Sequence, residues 1–246
     1  MLKSFNIRSP QGMIKLENWD DDKSITPQLE RGVYEPHVQA IIAAMTQPNF
    51  KVLDVGANIG IHSILFSKIC SDVTCIEASS ENVDLLKRNY ELNNMVLPTI
   101  FNEFLGDGST LTFSRAQSNH ACSFTATTDH SQRNEIRETV TTKKIDEIIK
   151  FQPDLIKMDI EGAEYNTMMA CPGFFSNTKF MIVELNKFTN EKFFNQPIQL
   201  LTDLLLTMYR MYIPYQGQLH EVDAGWLANY FSTNLMLDAL CVNKVM

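Results

Sequence analysis

The chain lacks most of what would cross-link a small fold. Among its 246 residues there are five cysteines, and Cys70, Cys75, Cys122, Cys171 and Cys241 form no C-x-x-C pair. An odd, scattered set argues against a disulfide framework or a zinc ribbon. Basic residues are in deficit: 21 Lys and Arg against 29 Asp and Glu leave a formal charge of −8. That argues against a general polyanion-binding surface and predicts no nucleic-acid partner. No apolar run approaches the roughly 18 residues of a membrane span, and there is no N-x-[ST] sequon. The opening Met1-Leu2-Lys3-Ser4-Phe5 lacks the apolar core of a signal peptide. Repeats, heptads and low-complexity linkers are missing too. These absences predict a soluble, cytoplasmic protein; at roughly 150 residues per domain the length suits one large domain. They leave the oligomeric state open.

What is present is an alternation of periods. Residues 1–34 form a mixed, polar N-terminal lead with an acidic run at Asp20-Asp21-Asp22, read as a solvated loop or the start of a hairpin. Val38, Ile41, Ile42 and Met45 recur at helical spacing after Pro36. The run Phe50 to Val55 is a short buried strand ending at Gly56. A helix follows over 58–70, a strand over 73–77, a helix over 80–93 and a third strand over 99–105. This β-α-β-α-β order predicts a doubly wound, mostly parallel sheet. Asp154 to Ile160 is a fourth strand and Phe180 to Glu184 a fifth. After a helix at 198–208, Met211–Ile213 and 235–242 read as an antiparallel pair at the sheet edge, with a short helix at 226–231 between them. Thr110 to Phe113 reads as a short edge strand. The polar segment 114–135 has no clear period, and a stretch of that kind inside a domain is functional or disordered.

The most informative stretch is Val52-Leu53-Asp54-Val55-Gly56-Ala57-Asn58-Ile59-Gly60, between the first strand and its helix. Glycines there let backbone approach a ligand. The dinucleotide pattern G-x-G-x-x-G fails at Asn58 and Ile61, and the P-loop pattern fails at Ile61. This discounts a nicotinamide oxidoreductase. Asp54 places a carboxylate where a ligand's amine could lie, and Glu77, ending the second strand, can accept both hydroxyls of a ribose. Taken singly, Asp54 suits a helix cap and Glu77 a strand-end charge. With the glycine spacing they read as a site for a nucleoside carrying an amino-acid tail.

The run V-L-D-V-G-A-N-I-G closely resembles the first motif of class I S-adenosylmethionine-dependent methyltransferases. Asp154-Leu155-Ile156-Lys157-Met158-Asp159-Ile160-Glu161-Gly162-Ala163-Glu164 resembles the second signature of the FkbM-type branch. The resemblance runs over roughly residues 30–245 and is weakest at 114–135. It implies S-adenosyl-L-methionine as cofactor and a Rossmann-like seven-stranded sheet, mostly parallel with an antiparallel last strand pair, over residues 35–246. It implies that Asp54, Gly56, Ala57, Asn58 and Gly60 hold the methionine part, that Glu77 holds the ribose, and that Asn102 and Glu103 lie near the adenine.

Ligands of open α/β sheets sit beyond the carboxyl ends of the strands. Asp159, Glu161, Glu164 and Glu184 fall there, and clustered carboxylates raise one another's pKa values, as a general base requires. Asp159 is expected nearest the cofactor and Glu161 nearest the acceptor, with Glu161 the base and Glu164 next in line. Such carboxylates can also hold a divalent cation, but no metal site is predicted. His120 and Cys122 lie in the polar segment, His120 as a substrate-facing candidate and Cys122 without the features of a nucleophile. His37 reads as a surface histidine. The resemblance implies O-methylation of a hydroxyl on a small molecule, sugar or glycolipid. N-methylation of an amine or peptide, or a non-catalytic cofactor-binding module, are the alternatives.

Overall fold

A computed structural model describes residues 1–116 and 135–245; His120 and Cys122 lie outside the described residues. The chain opens with a hairpin of β1 (Leu2–Ser9) and β2 (Gly12–Trp19), then α1 (Thr26–Glu30) and α2 (Pro36–Met45). Next come β3 (Lys51–Val55), α3 (Ile61–Ser67), β4 (Asp72–Ile76), α4 (Ser80–Leu92) and β5 (Thr99–Phe101). The separate hairpin β6 (Thr110–Ala116) and β7 (Glu135–Thr141) precedes α5 (Ile145–Ile148), β8 (Leu155–Met158), α6 (Glu164–Ala170) and α7 (Pro172–Ser176). The last part holds β9 (Phe180–Asn186), α8 (Lys187–Phe194), α9 (Ile198–Met208), β10 (Tyr209–Tyr215), β11 (Gln218–Val222), α10 (Ala224–Phe231) and β12 (Met236–Asn243).

The main sheet runs β11-β10-β12-β9-β8-β3-β4-β5. The pairs from β5 to β9 are parallel, and the β9–β12, β12–β10 and β10–β11 pairs are antiparallel. The fold is the expected α/β sheet with an antiparallel end, but it has eight strands rather than seven. The extra strand is β11, turned back by Gln216 and Gly217 at φ 51° and 76°, the pair of left-handed residues that tight hairpins favour. The Thr110–Phe113 run pairs with β7 away from the main sheet, not at its edge. β5 is shorter than expected because the chain leaves the sheet at Asn102, whose side-chain amide donates to the Glu77 and Ala78 carbonyls at 2.8 Å each.

Each face of the sheet carries its own apolar cluster. Of the two readings of the lead, a solvated loop or the start of a hairpin, the hairpin is the one observed. Phe5 faces Leu16 and Ile7 faces Ile14 across the hairpin, and all four are buried in the cluster that α3 and α4 cover. Asn89 of α4 fastens it, accepting from the Glu17 N–H at 2.7 Å while donating to the Ile59 carbonyl at 2.9 Å. The hairpin is thereby tied to the glycine turn. No helix among the described residues is long and apolar enough to cross a membrane.

Candidate functional site

The strand order reverses between β3 and β8, since the chain runs from β3 out to β5 and returns to β8 on the other side. A crevice at such a point is where open sheets bind ligands. Here it holds a cavity of about 240 Å³. One end is bounded by Glu77, Ala78 and Asn82, the other by Glu161, Glu184 and Met236.

The glycine turn forms the floor. Gly56 has φ 78°, and a Cβ there would stand 1.8 Å from the Asp159 carbonyl oxygen, so only glycine lets β3 and β8 close at this point. The Gly56 and Ala57 N–H groups donate to the Ile76 carbonyl at 2.9 and 3.1 Å, and Asp159 N–H donates to the Val55 carbonyl at 3.0 Å. Asn58, at φ 50°, donates its N–H to Glu77 Oε2 at 2.8 Å; Ser79 N–H donates to Glu77 Oε1 at 2.8 Å. The Asn82 side-chain amide also donates to Oε1, at 3.5 Å, so Oε2 is the oxygen that keeps a lone pair. Burial pushes the Glu77 carboxyl above its ordinary value.

Of the residues singled out in the sequence, Gly56, Asn58, Glu77, Glu103, Asp159, Glu161 and Glu184 line the cavity. Ala57 lines a small chamber beside it. Asp54, Gly60, Asn102 and Glu164 are not brought to the wall. Asp54 lies beneath the turn, accepts from Ser63 Oγ at 2.5 Å, and leaves its Oδ1 without a partner. Glu164 is buried and accepts from the Ile160 N–H at 2.8 Å, bracing the loop that carries Glu161. Asn102 braces the backbone behind Glu77.

The β8–β9 end is a cluster of carboxyl groups around one cation. Glu161 sits at φ 57°, a left-handed conformation that costs a side-chain-bearing residue roughly 1–2 kcal/mol. Among the described residues its carboxylate accepts no hydrogen bond. Burial, then the charges of Asp159 and Glu164, push its pKa up to about 8. Burial lifts Glu164 to about 7, and Glu184 is raised well above its ordinary value by burial, Asp159 and Glu161. The cation is Lys157, buried on β8, donating to Asp159 Oδ2 at 3.0 Å and paired in register with Asp54. Burial pulls its ammonium down, but Asp159, Asp54 and Glu35 outweigh that and hold it charged. Among the described residues no group of three or more His, Cys, Asp or Glu is placed to hold a metal ion.

Several cavity residues escaped the sequence reading. Ser24, Ile25, Gln28, Tyr34 and Glu35 come from the lead and the start of α2. Glu35 caps α2 at φ 37°, and burial pushes it up to about 7. His62 of α3 approaches it, Nε2 to Oε2, at 3.6 Å. His37 lies on the surface as read, and its Nε2 stands 2.7 Å from Asp238 Oδ2. Lys157 carried a usable signal: it is a charge inside the otherwise apolar Leu155–Met158 strand.

The methyltransferase FkbM domain model matches residues 54–217. Similar folds occur in solved structures. An FkbM methyltransferase from Methylobacillus flagellatus KT is 19% identical with a TM-score of 0.46, over 80% of this chain and 44% of that one. The chain therefore spans less than half the length of that protein. An rRNA methylase from Streptococcus thermophilus is 6% identical with a TM-score of 0.50, over 86% of this chain and 98% of that one. A protein of Streptococcus mutans described as a methyltransferase, in complex with SAH, is 6% identical with a TM-score of 0.50, over 86% and 99%. No curated protein matches the chain.

Proposed function

The chain belongs to the FkbM methyltransferase family, and we propose that it moves a methyl group from S-adenosylmethionine to a hydroxyl on a small molecule, sugar or glycolipid in the cytoplasm. The cavity suits that cofactor chemically. Glu77, on the cavity wall with a single hydrogen bond to Oε2, would hold the ribose hydroxyls, and Asn58 and Asp159 beside the Gly56 turn would hold the amino-acid tail. The carboxyl-lined acceptor end would face the positive sulfonium. S-adenosylmethionine brings an already activated methyl carbon, so the chain's work is alignment and removal of the acceptor's proton. Alignment of reacting groups supplies about 7–11 kcal/mol.

The observation that carries the choice of a hydroxyl is Glu161. It lines the cavity, accepts no hydrogen bond among the described residues, and titrates at about 8. A carboxylate with that pKa removes a hydroxyl proton far better than an ordinary one, and its affinity is matched to near-neutral pH. Burial, then repulsion by Asp159 and Glu164, keep that affinity high. Glu164 acts through the Ile160 backbone and so positions Glu161. An acidic cavity mouth and a net charge of −8 favour a small acceptor over a nucleic acid.

The test is a methyl-transfer screen over hydroxylated acceptors, followed by Glu161→Gln on the acceptor found. We expect Glu161→Gln to bind S-adenosylhomocysteine normally and to lose at least about 100-fold in kcat, with the wild-type rate rising as pH passes through about 8. Turnover on amines alone, or an unimpaired Glu161→Gln, would overturn the assignment.

A further inference from the structure

Beside the main cavity, under the glycine turn, lies a chamber of about 20 Å³. That is room for one small polar group. Tyr34, Asn58, His62, Lys157 and Asp159 line it, and it meets the main cavity at Gly56, Asn58 and Asp159. Its wall holds buried polar atoms that lack partners. His62 is only 5% exposed, and its Nε2 has no hydrogen-bond partner; Asn58 Oδ1 is likewise buried and unpartnered. Buried polar atoms of native proteins are paired almost without exception, so two orphans on one chamber call for a missing donor. His62 Nε2 and Glu35 Oε2 stand 3.6 Å apart, too far for a direct bond and close enough for one bridging donor.

The charge around the chamber identifies that donor. Lys157 is the cation beside it, one of its three protons is given to Asp159, and Asp54 and Glu35 also bear on it. Burial and Lys157 keep His62 uncharged. Lys157 opposes a second cation here, but Asp159, Asp54 and Glu35 are three carboxyls around that one ammonium, so a group with several protons, a positive charge and no lone pair suits the junction with the main cavity. An alkylammonium has three donors and no acceptor.

We infer that the α-ammonium of the cofactor's amino-acid tail sits where the chamber opens into the main cavity, received by His62 from the chamber wall and by Glu35 from the main-cavity wall. This rests on the S-adenosylmethionine reading above. Glu35 lies before residue 54, outside the segment that the family model matches, so the N-terminal part of this chain would complete the cofactor seat. Lys157 would act indirectly, holding Asp159 against the turn.

Calorimetry tests this without an acceptor. The probes are S-adenosylhomocysteine, decarboxylated S-adenosylmethionine, which keeps the amine, and 5′-methylthioadenosine, which lacks the tail. The variants are Glu35→Gln and His62→Phe, the latter keeping a ring against Tyr34, whose centroid lies 5.4 Å away. We expect each variant to bind S-adenosylhomocysteine and the decarboxylated compound at least tenfold more weakly, and 5′-methylthioadenosine within twofold of wild type. Equal losses for all three probes would mean a general effect on the pocket and would overturn the inference. So would unchanged affinity for S-adenosylhomocysteine, or a loss that vanishes with the decarboxylated compound. If wild type binds none of the probes, the cofactor reading itself falls and this inference with it.

Discussion

Glu77 at the end of β4 commits both carboxylate oxygens to the Asn58 and Ser79 N–H groups, whereas Glu161 after β8 accepts no hydrogen bond among the described residues. The two ends of the cavity differ throughout in this way. At the β4 end, backbone bonds fix each group, and hydrogen bonds to the charged form oppose a burial that still leaves Glu77 above its ordinary value. At the β8–β9 end, Glu161 and Glu184 crowd against Asp159, and their raised pKa values record that the carboxylates are poorly served. Fixed groups suit recognition of a constant ligand; groups held off their preferred ionisation suit proton transfer. The difference can be broken from either side.

The largest effect is expected on the fixed side. Gly56→Ala would drive a Cβ to 1.8 Å from the Asp159 carbonyl oxygen and impose φ 78° on an alanine. Left-handed backbone costs roughly 1–2 kcal/mol and overpacking typically another 1–3 kcal/mol, so β3 and β8 must part where the floor of the cavity is made. We expect a melting temperature lower by several degrees and loss of measurable S-adenosylhomocysteine binding. Wild-type melting with intact binding would show that the close approach is not required.

The crowded side is expected to answer to pH. The ordinary glutamate value is 4.5, and in the fold Glu161 stands at about 8 and Glu35 and Glu164 at about 7. Their folded values are raised, so the fold favours the protonated forms. The stabilisation is complete below about pH 4.5 and is lost as pH rises through 7 to 8. The melting temperature of the free protein should therefore fall between pH 5 and 8 through these groups, and Glu161→Gln should flatten the fall. A melting temperature that rises over that range in wild type would show that these carboxyls are not held protonated.

The same contrast governs how much was legible in the sequence. The glycine turn is local: Asp54 to Gly60 carries its spacing in one run, and Gly56, Asn58 and Glu77 stand at the cavity as that spacing implies. Asp54 itself was legible as a buried strand-end carboxylate but not as one lying beneath the turn, because its depth depends on Ser63 and Lys157. The crowded end is assembled from distant segments. Glu35 and His62 are 27 positions apart and meet only because α2 packs on α3. Asp238 lies opposite Glu184 across the β9–β12 pair. No local period announces such meetings. The hairpin was only half legible: Phe5, Ile7, Ile14 and Leu16 do alternate, but Asn6, Arg8, Lys15 and Glu17 on the outward positions dilute the run, so a solvated loop fitted it as well as a hairpin.

The smallest expected effect lies at the rim of the crowded end. His37 Nε2 is 2.7 Å from Asp238 Oδ2, with the histidine side chain 45% exposed. The hydrogen bond to Asp238, outweighing partial burial, raises the His37 pKa above its ordinary 6.5. The pair thus stabilises the fold fully below pH 6.5 and ceases to do so as pH rises through the raised value. A half-exposed ion pair contributes about 0.2–1 kcal/mol, so His37→Ala should lower the melting temperature by a degree or two at pH 6 and by nothing measurable at pH 9. Because Asp238 faces Glu184 and also bears on Glu35, losing the histidine removes a positive charge from the carboxyl cluster. The pH at which wild-type methyl transfer is half-maximal should then move upward slightly in His37→Ala. An unchanged pH profile with a lowered melting temperature would confine His37 to fastening α2 to β12 and leave the cluster's ionisation to its buried members alone.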